Sequence, residues 1–204
     1  NTETGWRIVD DTLQIRGGRG YETADSLRGR GEPGIPVERA MRDFRINLIF
    51  EGTSEVMRLF IAREAVDHHF KTAFALVDAG STGKEKLSAL GRVMKFYPGW
   101  YAARWFGRGA LPTSYGEFGA LAGHLRWAER RTRHLGRMLF HAMVRFGSKL
   151  ERRQMVLFRG VDIGADLFAM TAVCVRARML AAQGNHEATE LADLFCREAR
   201  QRID

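Results

Sequence analysis

Apolar residues recur at steps of three and four along almost the whole chain, the spacing of helices that bury one face. Trp6, Val9 and Leu13 share one such face, with Ile8, Thr12 and Ile15 beside it, and Gly17 and Gly18 stop this first helix near Ile15. The Gly-rich stretch from Gly17 to Gly34 reads as a long loop. Pro36 then occupies the first position of a second helix, whose stripe is Val37, Ala40, Met41, Phe44 and Leu48. Phe50-Glu51-Gly52 interrupts the pattern. Thr53 or Ser54 caps the helix that follows, and Glu55 suits its positive N-terminal end. Val56, Leu59, Phe60, Val66, Phe70 and Phe74 predict its buried stripe, which runs to about Val77.

The polar, Gly-containing stretch from Asp78 to Gly83 reads as a linker, dividing the chain into domains 1–79 and 80–204. Beyond it, Lys84 to Lys95 predicts a short helix, Phe96-Tyr97-Pro98-Gly99-Trp100 a turn, and Trp100 to Phe106 another short helix. A long helix follows from about Tyr115 to Phe146, with Phe118, Leu121, Leu125, Leu135, Leu139 and Met143 inward. A further helix covers Lys149 to Ala182. Its middle, VDIGADLFAMTAVCV, is apolar on most sides and should be the most buried part of the chain. The last helix runs from His186 to about Ile203. No period-2 alternation of any length appears, so the fold class is all-α, and helices joined by short turns suggest an antiparallel bundle.

Composition narrows the function classes. Apolar residues make up 45% of the 204, enough for a real core. No apolar run approaches the ~20 residues that span a bilayer. Cys174 and Cys196 sit in apolar helical contexts with no CxxC or His/Cys cluster, which predicts buried free thiols, no disulfide framework and no metal site. The net charge of +8 raises nucleic-acid binding as a hypothesis. The basic residues are interleaved with 24 acidic ones, as in Glu38-Arg39 and Arg42-Asp43, so a solvated, ion-paired surface is the better reading. The segment KFYPGWYAARWF, Lys95 to Phe106, mixes aromatic and basic residues in a way that suits either a domain-packing surface or a peripheral membrane contact. The chain opens at Asn1 in what reads as the middle of a helix, which suggests a piece of a longer protein.

Function becomes legible between Gln14 and Arg63. QIRGGRGY is followed by VERAMRD and then by IFEGTSEVMRLFIAR. A lone Gly-rich motif carries little information, but this ordered series resembles the signature region of the acyl-CoA dehydrogenase family, densely over residues 1 to about 70. The resemblance implies the C-terminal helical domain of that family, an FAD cofactor, and α,β-dehydrogenation of fatty acyl-CoA thioesters. A carboxylate removes the α-proton, the β-hydrogen leaves as hydride to the flavin, and electrons pass on to an electron-transfer flavoprotein. The Glu that opens the family's E-G-T-S motif is commonly the base, here Glu51. A base at a break between two helices is held firmly and can point into a dry cleft, where desolvation raises its pKa.

The family's Q-x-x-G-G stretch contacts the ADP part of an FAD held by a neighbouring subunit. This transfers to Gln14, Ile15, Arg16, Gly17 and Gly18, whose glycines let backbone N–H groups approach a diphosphate. Gly52, Thr53, Ser54 and Glu55 would touch the FAD of the same active site, and Arg63 matches a position that helps hold acyl-CoA, although a surface ion pair explains it nearly as well. One departure is a stretch around Ser26 to Ile35, longer than relatives carry between the Gly-Tyr pair and the V-E-R helix. The continuation into LERRQ and VDIGADLFAMTA resembles the helical extension of very-long-chain members, which are dimers. The implied partners are acyl-CoA, a second copy of the chain and an electron-transfer flavoprotein, in a bacterial cytoplasm, with a peripheral membrane contact left open and nucleic acid excluded. The chain by itself is expected not to retain FAD. The alternative function is a helical interaction or membrane-docking module with catalysis secondary or lost.

Overall fold

The computed structural model describes residues 2–50, 53–78 and 80–204, and among these there are helices and no strand, as the all-α reading expects. The chain forms two compact units, 1–57 and 58–204.

In the first unit, α1 (Thr2–Arg16) packs on α4 (Val37–Ile46). The faces are those the periodicity predicts. Trp6, Val9 and Leu13 are half-buried on α1, as are Ala40, Met41 and Phe44 on α4, and Val37 is buried. The Arg45 guanidinium lies 5.3 Å from the Trp6 ring and closes one edge of the contact. The stretch from Gly17 to Gly34 is not the loop expected of it. It holds two short helices, α2 (Gly18–Tyr21) and α3 (Ala24–Gly29). Local polar chemistry outweighs the glycines. Thr23 Oγ1 accepts the Ser26 N–H at 3.3 Å and caps α3. Glu22 accepts from both Ser26 Oγ and Arg30, each at 2.8 Å, and Leu27 is fully buried beneath them. The stretch of Ser26 to Ile35 is thus anchored by one apolar side chain, Leu27, and by ion pairs among Arg19, Glu22, Asp25, Arg28, Arg30 and Glu32.

The second unit holds most of α5 (Ser54–Val77), then α6 (Gly83–Ala102), α7 (Ala122–Phe146), α8 (Gln154–Ala181) and α9 (Glu187–Ile203). The linker expected between Asp78 and Gly83 separates α5 from α6, where Thr82 and Glu85 form a reciprocal cap. Helices α7 and α8 are antiparallel, because Gly160 meets Leu139 and Gly164 meets Leu135. So are α8 and α9, which pair Cys174 with Cys196 and Asp166 with Arg202. The core lies among these three helices: Leu121, Leu125 and Ala128 against Leu167, Met170 and Cys174, closed by Ala192, Cys196 and Ala199. Both cysteines are buried free thiols, as expected, with their sulfurs 3.7 Å apart.

Four details depart from the sequence reading. First, α5 buries Ala62 (4% exposed) and Val66, while Val56, Leu59 and Phe60 (59% exposed) of the expected stripe face outward. This helix is apolar on several sides, and contacts from Leu150 and Leu157, with the Arg58–Asp162 ion pair at 2.7 Å, choose its inner face. Second, no turn interrupts residues 96–100. Helix α6 runs through Pro98, at a cost of about 3 kcal/mol for a proline in a helix interior. Packing of Tyr97 and Trp100 on Phe140 offsets it, at ring separations of 4.9 and 5.7 Å. Third, α7 starts at Ala122, not near Tyr115. Tyr115 takes a left-handed conformation and donates its hydroxyl to Glu129 at 2.8 Å, and a 3-10 segment, Gly116–Leu121, leads into the helix. Fourth, α8 is not buried on most sides: Phe168 is 76% exposed.

Candidate functional site

The stretch from Gln14 to Gly18 forms the end of α1 and the start of α2. Helix α1 stops because Gly17 turns to φ +58°, a left-handed value that glycine adopts without a Cβ penalty. Its N–H reaches back to the Gln14 carbonyl at 3.0 Å. Gln14, Ile15, Gly17 and Gly18 are exposed, and a Cβ at either glycine would meet nothing within 4 Å. The backbone here is open to close approach by a ligand. Arg16 is half-buried, and its buried Nε has no hydrogen-bond partner.

Helix α5 begins at the E-G-T-S motif. Glu51 and Gly52 lie outside the described residues. Thr53 Oγ1 accepts the Val56 N–H at 3.3 Å and the Thr53 carbonyl accepts that of Met57 at 2.9 Å, so Thr53 is the cap that the sequence offered jointly to Thr53 and Ser54. Ser54 is half-buried, and Glu55 is exposed in the first turn. Arg63, in the second unit, is exposed, and among the described residues no carboxylate lies within ion-pair distance of it.

Several polar groups escaped the sequence reading because their partners are far apart in the chain. His69 Nδ1 and the Tyr97 hydroxyl are 3.0 Å apart, and the His69 ring lies 4.8 Å from that of Trp100. The aromatic residues of Lys95 to Phe106 therefore divide: Tyr97 and Trp100 pack inward, while Trp105 and Phe106 stay exposed. His124 is buried with Nε2 2.7 Å from Asp193 Oδ1, joining α7 to α9. No group of three or more potential metal ligands occurs among the described residues.

Burial, then the neighbouring His68 and Arg104, hold the His69 imidazole below its ordinary value of 6.5. His134 is likewise lowered, by burial and then by Arg137, Arg131 and His141. Both rings bind their proton less tightly folded than unfolded. The stability they contribute is complete above the unfolded value of 6.5 and is lost as pH falls from there through the folded values. The hydrogen-bonded carboxyls of Glu129 and Asp193, both lowered, act in the same direction at more acidic pH. Urea midpoints should therefore decline between about pH 7.5 and 5. His69→Phe, which keeps a ring and removes the titration, should flatten part of that decline. A midpoint that rises on acidification would refute the assignment.

Comparison with known proteins bears on the whole chain. The family description "Acyl-CoA dehydrogenase, C-terminal domain" matches residues 1–66, and "ACAD9/ACADV, C-terminal domain" matches residues 120–204. A probable acyl-CoA dehydrogenase FadE10 of Mycobacterium tuberculosis is 49% identical over 100% of this chain and 32% of its own length. The human mitochondrial very long-chain specific acyl-CoA dehydrogenase is 30% identical over 99% of this chain and 29% of its own. The chain thus spans about a third of the curated relatives it matches. A crystal structure of an acyl-CoA dehydrogenase complexed with FAD from Bacillus anthracis superposes with a TM-score of 0.56 at 24% identity, covering 96% of this chain and 28% of that one, a likeness of fold.

Proposed function

The chain belongs to the acyl-CoA dehydrogenase family, and on that premise we propose that it forms the C-terminal helical part of an FAD-dependent enzyme. Its reaction is the α,β-dehydrogenation of fatty acyl-CoA thioesters, with Glu51 as the base. The observation that carries this reading is the ordered series from Gln14 through Glu51 to Arg63, within a chain 49% identical along its full length to a probable acyl-CoA dehydrogenase.

The described residues fit the cofactor. The uncovered backbone of Gly17 and Gly18 suits a diphosphate, and the unpartnered Nε of Arg16 is a buried donor in the same stretch. FAD, when bound, supplies the acceptor for the β-hydrogen as hydride. Glu51 takes the α-proton. Thr53, Ser54 and Glu55 line the cofactor side from the start of α5, and Gly52 gives the backbone room to come close to it. Arg63, with no ion-pair partner among the described residues, holds the acyl-CoA. In this reading two copies associate so that Gln14 to Gly18 of one serve the cofactor of the other, electrons leave to an electron-transfer flavoprotein, and the enzyme works in the bacterial cytoplasm. The exposed apolar residues Met57, Leu59, Phe60 and Ile61 on α5 support burial against further protein surface. Exposed Trp105 and Phe106 support a peripheral membrane contact as a secondary role.

The test is to isolate the full-length protein and follow its flavin band on adding long-chain acyl-CoA. Bleaching of that band, with reduction of an acceptor dye, is expected. A flavin-free protein, or a flavin that no acyl-CoA bleaches, overturns the proposal.

A further inference from the structure

A groove of about 470 Å³ runs between α7 and α8, remote in sequence from Gln14–Gly18, Thr53–Glu55 and Arg63, none of which lines it. Its floor is apolar, with Leu135, Met138 and Leu139 from α7 and Val156 and Ile163 from α8. Its other character is basic. Arg131, His134, His141, Arg145 and Arg159 line it, and no Asp or Glu does.

Close to half of the lysines and arginines have a carboxylate or carbonyl partner among the described residues. Of those at the groove, Arg131 is matched, by Asp204. Arg145 and Arg159 are exposed, and among the described residues no acidic side chain lies within ion-pair distance of either. The Arg145 guanidinium instead stands 5.9 Å from the Phe146 ring, and the Arg153 guanidinium 5.3 Å from the same ring.

An apolar trough with unpaired guanidinium groups at its rim is complementary to an amphiphile with one hydrocarbon chain and one anionic head. The volume is that of a small-molecule site, which runs from about 300 to 1,000 Å³, and is too small for a helix about 10 Å across. We propose that this groove binds one long-chain fatty-acid anion, its chain along the α7–α8 floor and its carboxylate drawn to Arg145 and Arg159. A planar, delocalised guanidinium donates two parallel N–H bonds to a carboxylate, while the apolar floor takes the methylenes at about 0.8 kcal/mol each. The site does not depend on the dehydrogenase reading, since it uses none of the residues assigned there.

Isothermal titration calorimetry of the purified full chain with palmitate, kept monomeric at about pH 7.5, tests it. Saturable binding of one palmitate per chain is expected, weakening as salt rises. The double variant Arg145→Glu with Arg159→Glu should lower affinity by roughly 10-fold or more, as the loss of charge-assisted contacts predicts. Both positions are exposed, so the fold should hold, and far-ultraviolet circular dichroism checks that it does. Val156→Trp, which fills the trough and leaves the charges, should also weaken binding. Methyl palmitate should bind the parent chain more weakly than palmitate. Equal affinity of the parent and the double variant for palmitate would overturn the proposal. So would the absence of saturable palmitate binding, including the case where phosphatidylglycerol vesicles are bound instead, since the groove would then serve a membrane surface.

Discussion

Glu51→Gln in the full-length protein should lower kcat by roughly 10²- to 10⁴-fold, the usual contribution of a general base. Glutamine matches glutamate in size, and its amide can still hydrogen-bond, but it cannot accept the α-proton at working pH. Interactions that hold the substrate in its ground state do not require that proton to move. Acyl-CoA affinity and flavin content should therefore stay near those of the parent, and the loss should fall on kcat. Bleaching of the flavin band in a single turnover should slow by a similar factor. Glu51→Asp, which keeps a carboxylate but withdraws it by one methylene, should fall between the two. Near-normal turnover in Glu51→Gln would move the base to another residue. Loss of bound flavin in that variant would make Glu51 a structural neighbour of the cofactor instead.

That experiment rests on sequence order, and the limits of such reasoning show in particular residues. The positions of breaks were legible wherever a local signal was strong: Gly17 at the end of α1 and the Asp78–Gly83 linker before α6. Faces were legible where polar residues leave only one apolar stripe, as on α4. On α5 and α8, apolar residues occupy several sides, and long-range contacts decided which were buried. Pro98 misled for the same reason. Its local penalty is real, but aromatic rings some forty residues away on α7 hold the helix together. The loop between Gly17 and Gly34 hid two short helices because their stability comes from one cap, one buried leucine and side-chain ion pairs, which composition does not reveal. For the candidate site, the motif residues could be read off in order. The pairings His69–Tyr97, His124–Asp193 and Tyr115–Glu129 could not, since each joins residues that only the tertiary fold brings together.

Helix α8 offers the sharpest test of the packing. Met170 and Phe168 lie two residues apart in the same apolar run, so they stand on different sides of the helix. Met170 is 0% exposed, at the centre of the core shared by α7, α8 and α9, and its carbonyl lies 4.0 Å from the Cys196 sulfur. Met170→Ala removes a fully buried thioether arm and leaves a cavity that the surrounding helices fill only in part. The expected cost is about 2–5 kcal/mol. For a domain stable by about 5–15 kcal/mol this is a large share, readable as a lower urea midpoint at unchanged slope. Met170→Leu, which conserves most of the volume, should cost less than about 1.5 kcal/mol. Phe168→Ala deletes the larger side chain but from an exposed position, and should move the midpoint much less. Met155→Ala, at the 82% exposed start of the same helix, should stay within about 0.5 kcal/mol of the parent. Hydrophobicity alone ranks Phe168 as the costliest of the three truncations, whereas burial ranks Met170 first. A Phe168→Ala chain less stable than Met170→Ala would mean that α8 presents the opposite face to its neighbours.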